Sequence, residues 1–514
     1  SEPINAESRP IPDGYDFHLL FSMSGTAPVR MAEILFDPDL SDYGWQRKFE
    51  VQPGQKYKEF QENGRTSYLF ENIQARQTVP FASEADLRSP VCSWYWAPQM
   101  REWLMSVGFP EDKPINLINA AACTVFYSYL MDPVENKRGL RSTLRGMGQG
   151  LDNLSIRERA ISLMRNLRSK VKTLSELPEI QHQKELKSGP EAVLKRGWGT
   201  SEQLNLLGFH VLRENGLSAS WVMAIDREEN RLLDPNNLWQ YDNMLLLVLD
   251  ERGEPIYLNP GSTYTPVGLP PWLQSSKALV IFSTKERLEW TGKFFALPSV
   301  NPEKNSQIWK SVILPGVDSD DFDVSFEATG NAASHWKSVL GGQHAGDLAK
   351  GLKPLVEREG FLVRSASGDD LLDPWKKMAF KFQGTFEHEG GRKRVLSPFL
   401  FLRTPFVIPP SWPENRTFAI HLPMTTLIQA EARIPWKGEA PTAKELDPTQ
   451  HENYFGKVSW SGEMTEGNKG KELLIRLKIE VSSILGAPSK YGEMKEFTGW
   501  IREALGRGVF APQI

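Results

Sequence analysis

Cysteine is nearly absent: 514 residues hold two, Cys92 and Cys123. Neither belongs to a Cys-x-x-Cys pair or lies near a histidine. One disulfide and two separate buried thiols both fit that count, so cysteine usage leaves the compartment open. Histidine is also sparse. The eight are scattered, at His18, His182, His210, His335, His344, His388, His421 and His451. No His-Glu-x-x-His or His-x-His pairing occurs, which argues against a zinc site. No metal and no cofactor is expected. No run of roughly 18 apolar residues is present, so no transmembrane segment is expected. An excess of charge of either sign is lacking too, with 60 Lys and Arg against 64 Asp and Glu and a net charge of −4. A general nucleic-acid binder needs a basic face, so nucleic acid is not among the expected partners. The chain begins at Ser1 with no initiator Met and no visible signal peptide, which reads as a processed or trimmed chain.

Two suggestive stretches also lack what their chemistry needs. Gly146-Met147-Gly148-Gln149-Gly150 is followed by no Gly-Lys-Ser/Thr, so it is a flexible stretch and not a phosphate loop. Asp318-Ser319-Asp320-Asp321-Phe322-Asp323 lacks the glycine and distal glutamate of an EF-hand and reads as a solvated loop.

What is present is ordinary globular material: 40% hydrophobic, 24% charged, 16 Trp and 26 Phe. The length is too great for one core, so about two to four domains are expected. Residues 1–95 are short strand-like runs broken by Asp13-Gly14, Pro53-Gly54 and Asn63-Gly64, the pattern of an antiparallel sandwich. Residues 96–300 are mixed. A short helix is expected at 100–107 and a buried apolar segment at 115–130. A long helix should start at Ser155, with Ile156, Ala160, Leu163, Met164, Leu167 and Val171 at helical spacing. Residues 301–514 read as strands again, with a helix at 345–359 that Pro354 kinks and a final helix at 491–505.

The chain is organised around 195–259. Thr200 followed by Gln203 reads as a capping box, so Ser201 opens a helix through Leu204, Leu207, Val211 and Leu212, which Gly216 stops. Free N–H groups and the helix dipole favour negative charge at that position. A strand at 219–225 alternates. A continuous apolar strand at 244–249 turns at Glu251-Arg252-Gly253-Glu254 into a strand at 256–259.

This stretch resembles the bacterial transglutaminase-like proteins that carry a β-rich domain on each side of a papain-like core. In that family the helix opens Gly-Asp-Cys-Lys-Asp-Lys, the first strand begins Phe-Asn-His and the second ends Leu-Asp-Pro. Here Gly199-Thr200-Ser201-Glu202-Gln203-Leu204, Tyr241-Asp242-Asn243 and Leu258-Asn259-Pro260 stand in those places. Leu269-Pro270-Pro271-Trp272-Leu273, Lys277-Ala278-Leu279-Val280 and Leu402-Arg403-Thr404-Pro405 also resemble it. The resemblance implies an α+β multidomain fold: an N-terminal antiparallel β-sandwich, a central transglutaminase-like core and a C-terminal β-sandwich. It implies a periplasmic, secreted or outer-membrane-associated protein with other envelope proteins as partners. The family's N-terminal β-domain normally starts earlier. An open strand edge near residues 15–36 is therefore expected, with a protein contact on it.

The family's Cys, His and Asp are replaced by Ser201, Asn243 and Asn259. Serine is a poor nucleophile without an adjacent base, and an asparagine amide takes up no proton near neutral pH. The expected protein is therefore a catalytically inactive scaffold or binding subunit. In it Ser201 is a helix-start residue, and Asn243 and Asn259 bond to backbone. A hydrolase or acyltransferase using Ser201 with an unforeseen base is the rival reading. A glycan- or peptide-binding protein is the third, with Trp198, Trp221, Trp239 and Tyr241 as candidate cleft residues. Asp242 is a lone carboxylate at the rim.

Overall fold

The structure is a computed structural model. It describes residues 134–510 apart from 178–188, 228–240, 283–290, 342–347, 388–394 and shorter pieces. Before 134 it describes 18–22, 29–36, 45–50, 56–62, 65–73, 80–82 and 91–96. The expected helix at 100–107, the apolar segment at 115–130, Cys123 and Trp239 lie outside the described residues.

Six strands come first: β1 (His18–Ser22), β2 (Val29–Phe36), β3 (Trp45–Glu50), β4 (Tyr57–Glu62), β5 (Arg65–Ile73) and β6 (Val91–Trp96). They form two antiparallel three-stranded sheets, ordered β1-β6-β3 and β2-β5-β4. β1 and β2 each lie at a sheet edge. Tyr68 and Phe70 of β5 are buried, while Met31 and Leu35 of β2 are exposed.

The central part opens with the helices Arg138–Gly146 and Ile156–Lys170. Ser155 and Glu158 form a capping box that starts the second. A two-residue parallel pair follows, β7 (Lys172–Thr173) with β8 (Trp198–Gly199), flanking the helix Pro190–Arg196. The helices at Arg138 and Pro190 lie in the span 96–300 that the sequence reading leaves as mixed, with no helix named at either place. Neither has a side-chain cap hydrogen bond. Burial of Leu140, Leu144 and Val193 holds them instead.

The helix Ser201–Glu214 is centred on an antiparallel sheet ordered β11-β10-β9-β12-β13. Its strands are β9 (Ala219–Ala224), β10 (Asn243–Leu249), β11 (Pro255–Leu258), β12 (Lys277–Phe282) and β13 (Thr291–Ala296). Both faces are covered. Leu246, Val248, Ile256 and Leu258 pack with Leu163, Leu204 and Leu207 from the helices. Leu245, Leu247 and Tyr257 pack with Leu269 and Leu273 on the other side. Burial on both faces explains why β10 reads as an unbroken apolar run.

The C-terminal part contains β14 (Ser306–Pro315), β15 (Ser319–Ala328), β16 (Phe361–Ser367), β17 (Met378–Glu387) and the short β18 (Val395–Leu396) and β19 (Ile420–His421). β20 (Thr426–Pro435), β21 (Thr449–Asn453), β22 (Gly456–Gly467) and β23 (Gly470–Val481) complete it. Eight of these strands make one sheet, ordered β16-β17-β15-β14-β20-β23-β22-β21, in which only the β14–β20 pair is parallel. Its inner face carries Trp309, Phe322, Phe326 and Phe380. The helices Gly330–Gly341, Leu348–Val356 and Tyr491–Gly506 cover it through Trp336, Leu352, Met494 and Phe497. Helices thus line this core where the resemblance implies a second sheet. The acidic stretch at 318–323 is no solvated loop: it leads into β15, because Asp320, Phe322, Val324 and Phe326 alternate inward.

Candidate functional site

Ser201 is the first residue of its helix, and Thr200 caps it. The Thr200 hydroxyl accepts from Gln203 N at 3.3 Å, and Gln203 Oε1 accepts from Thr200 N at 3.1 Å. Arg196 braces the same turn. Its guanidinium donates to Gln203 Oε1 and to Trp198 O, both at 2.6 Å, and lies 4.6 Å from the Trp198 ring centre. Trp198 is therefore half-buried beneath a cation and belongs to the architecture of the turn.

The turn after β11 presses against Ser201. A Cβ on Gly261 would overlap the Ser201 carbonyl oxygen and Oγ, so only glycine permits this approach. One buried side chain ties the three pieces together. Asn205, one helical turn beyond Ser201, donates from Nδ2 to Met244 O at 2.7 Å. Its Oδ1 accepts from Gly261 N at 2.9 Å. Helix, β10 and turn thus share one buried amide, 2% exposed. Sequence reasoning missed Asn205. The available signal was a polar residue interrupting Leu204, Leu206 and Leu207, since a buried amide needs partners.

Asn259 is buried beside this turn. Its N–H donates to Pro266 O at 2.8 Å, and its carbonyl accepts from Ser262 N at 2.8 Å. Among the described residues, no protein group donates to its buried Oδ1. Asn243 is differently placed. It has the parity of Leu245 and Leu247, whose side chains pack away from the Ser201 helix. Its Oδ1 accepts from Trp272 Nε1 at 3.2 Å, and its Nδ2 donates to Asp242 Oδ1 at 2.8 Å. These partners are side chains, not the backbone groups expected from sequence. Asp242 in turn accepts from Asp226 N at 2.8 Å, so it caps the neighbouring loop. No hydrogen bond joins any two of Ser201, Asn243 and Asn259. Among the described residues, no histidine or lysine hydrogen-bonds the Ser201 hydroxyl.

Hydroxyl groups gather on the β7 side of the turn. Thr263 Oγ1 lies 2.9 Å from Thr173 Oγ1 and 2.8 Å from Ser175 Oγ. Glu176 Oε2 accepts from the Thr173 amide at 2.6 Å, the Thr173 hydroxyl at 2.7 Å and Arg168 at 2.7 Å. Burial opposes ionisation of Glu176. The Thr173 bonds and the Arg168 charge outweigh it and hold the carboxyl below its ordinary range. The group is a brace for the loop.

The cleft reading fails for two of its aromatics. Trp221 is 1% exposed and packs edge-on to Phe209 at 5.8 Å; its strand position faces the helices. Tyr241 is 4% exposed. Both sheet faces being covered leaves neither residue a groove to line.

No family model matches the chain, and no curated protein matches it. Solved structures do. A candidate protease from Parabacteroides distasonis ATCC 8503 is 12% identical, with a TM-score of 0.52 over 96% of this chain and 75% of that one. A candidate cysteine protease from Cytophaga hutchinsonii is 10% identical, with a TM-score of 0.20 over 49% of this chain and 77% of that one. A TGase is 13% identical, with a TM-score of 0.19 over 49% of this chain and 51% of that one. The last two scores are too low to support an argument. The first supports a shared fold: this is a mixed α+β chain, rich in sheet, with the fold of that structure.

Proposed function

We propose that the chain is a catalytically inactive protein of protease-like fold that serves as a binding or scaffold subunit in a cell-envelope assembly. The state of Ser201 carries the first half. It opens a helix, as a nucleophile in such a fold does, yet among the described residues neither imidazole nor ammonium hydrogen-bonds its hydroxyl. Without a base a serine is a weak nucleophile. Asn243 offers an amide committed to Trp272 and Asp242, and Asn259 offers no charge. The envelope assignment rests on the sequence resemblance.

The test uses the full chain. It should hydrolyse no amide, transfer no acyl group and take no label from a fluorophosphonate probe. A labelled Ser201, or activity abolished by Ser201→Ala, overturns the reading in favour of a serine hydrolase. The combined change Ser201→Cys, Asn243→His and Asn259→Asp should also stay inactive, because position 243 points toward Trp272. Gentle extraction from native cells should recover the chain in the envelope fraction with other proteins. A free monomer in the cytosol would sink the scaffold half.

A further inference from the structure

A cavity of ≈ 380 Å³ lies at the seam between the central and C-terminal parts. Among the described residues, four cations line it, Arg165, Lys337, Lys376 and Lys377, and no carboxylate does. Two of the four are already matched. Lys377 pairs with Glu327 at 2.7 Å, and Lys376 lies 3.9 Å from Asp373. The other two are not. Arg165 sits 5.5 Å from the Trp375 ring centre and makes no ion pair among the described residues. Lys337 is the sharper case, being 1% exposed on the helix Gly330–Gly341.

A buried ammonium is costly unless its charge is compensated and its three donors are used. Among the described residues, Lys337 Nζ donates to Asp373 O at 2.6 Å and to Lys376 O, and to nothing else. One N–H is left over. Among the described residues no carboxylate comes within ion-pair distance of it. Asp373 acts on Lys337 only from farther off, since its Oδ1 is taken by Trp375 N at 2.9 Å. The first turn of the Lys337 helix, at Gly330, Ala333 and Ser334, forms part of the same wall, and its dipole adds to the positive potential.

We propose that this seam is a binding site for a small oxyanion, a phosphoryl or carboxylate group, with Lys337 and Arg165 as its ligands. The anion supplies the counter-charge that Lys337 lacks and accepts its third N–H. Arg165 closes over it from the helix Ile156–Lys170, as a planar donor suited to two oxygens. Ile161, Val267 and Trp375 give the uncharged remainder of the ligand an apolar wall. The cavity has the size of a small-molecule site, in the setting where such sites concentrate. The site is independent of Ser201, and its failure would leave the reading of Ser201 untouched.

The test is a titration of the full chain with inorganic phosphate, replacing chloride at constant ionic strength. Thermal midpoint and calorimetric heat are the readouts. A saturable rise in midpoint is expected. Arg165→Gln and Lys337→Met should each weaken the apparent affinity by about tenfold or more, as loss of a charged hydrogen bond does. Arg364→Gln, on the outer face of the eight-stranded sheet, should not. Arg165 is exposed, so its variant keeps the test valid even if Lys337→Met fails to fold. In a second arm, a short peptide with a free C-terminal carboxylate is compared with its amide. Binding of phosphate alone assigns a phosphoryl ligand, and binding of the free-acid peptide assigns a carboxylate. No saturable response to either, or an affinity unchanged by Arg165→Gln, overturns the proposal.

Discussion

Asn205 shows how much one buried amide decides. It serves a strand carbonyl and a turn amide at once, and no water-exposed group can replace it. Asn205→Ala strands both partners, so about 2–4 kcal/mol of stability should be lost. Urea midpoints measure this; an unchanged midpoint would remove Asn205 from the account. Gly261→Ala acts at the same contact by overlap, at about 1–3 kcal/mol. Ser201→Gly should not rescue it, because the clash includes the Ser201 carbonyl oxygen. Glu176 gives a pH signature. Its folded carboxyl titrates below the unfolded value near 4.5, so the unfolded chain binds more protons in that window. Its contribution is present above pH 4.5 and lost as pH falls through the folded value. Stability curves of wild type and Glu176→Gln should converge below pH 4.5 and stay apart above it. Parallel curves across that range would contradict the assignment.

At the scale of elements, two helical glycines should respond in opposite directions to the same change. Gly208 lies on the buried side of the Ser201 helix. A Cβ there would meet Pro260 Cγ at 2.7 Å, Leu246 Cδ1 at 3.1 Å and Met164 Sδ at 3.2 Å. Gly208→Ala gains about 1 kcal/mol of helix propensity but overpacks by about 1–3 kcal/mol, so net destabilisation is expected. Gly499 lies mid-helix in Tyr491–Gly506 with nothing within 4 Å of an added Cβ. Gly499→Ala should stabilise by about 0.5–1 kcal/mol. Thermal midpoints of the two variants settle the contrast. The start of the Ser201 helix was legible because its capping box spans four residues. The helix Gly330–Gly341 was missed. Its buried face includes Asn331 and Lys337, whose partners lie far away in sequence.

For the whole molecule, the seam between the central and C-terminal parts is built from side chains bonding to distant backbone. Arg227 donates to Leu422 O and Pro423 O, both at 2.8 Å. Asn331 donates to Leu269 O at 2.7 Å, and Ser334 to Tyr264 O at 2.8 Å. Arg227 is 7% exposed, so its loss removes charged bonds from a buried interface. Charged hydrogen bonds contribute about 1.5–3 kcal/mol each. Arg227→Met should therefore split one calorimetric transition into two, with the central and C-terminal parts melting separately. A single transition at the original temperature would show that Arg227 does not couple them.

By itself the sequence determined what depends on neighbours a few residues apart. The Thr200–Gln203 box, the stop at Gly216 and the alternation of the strands are local hydrogen-bond and side-chain patterns, readable in a window. It also determined that no imidazole stands at 243 and no carboxylate at 259, since residue identity needs no fold. Direction and burial were decided only by the tertiary structure. Which face of β9 meets the helices placed Trp221 in the core, and the parity of β10 turned Asn243 toward Trp272. The parallel pairing of β14 with β20 joins residues more than a hundred positions apart. The same long-range packing closed Gly261 onto Ser201 and buried Lys337. Such contacts arise from how elements meet, and that information is spread over the whole chain rather than written at any one site.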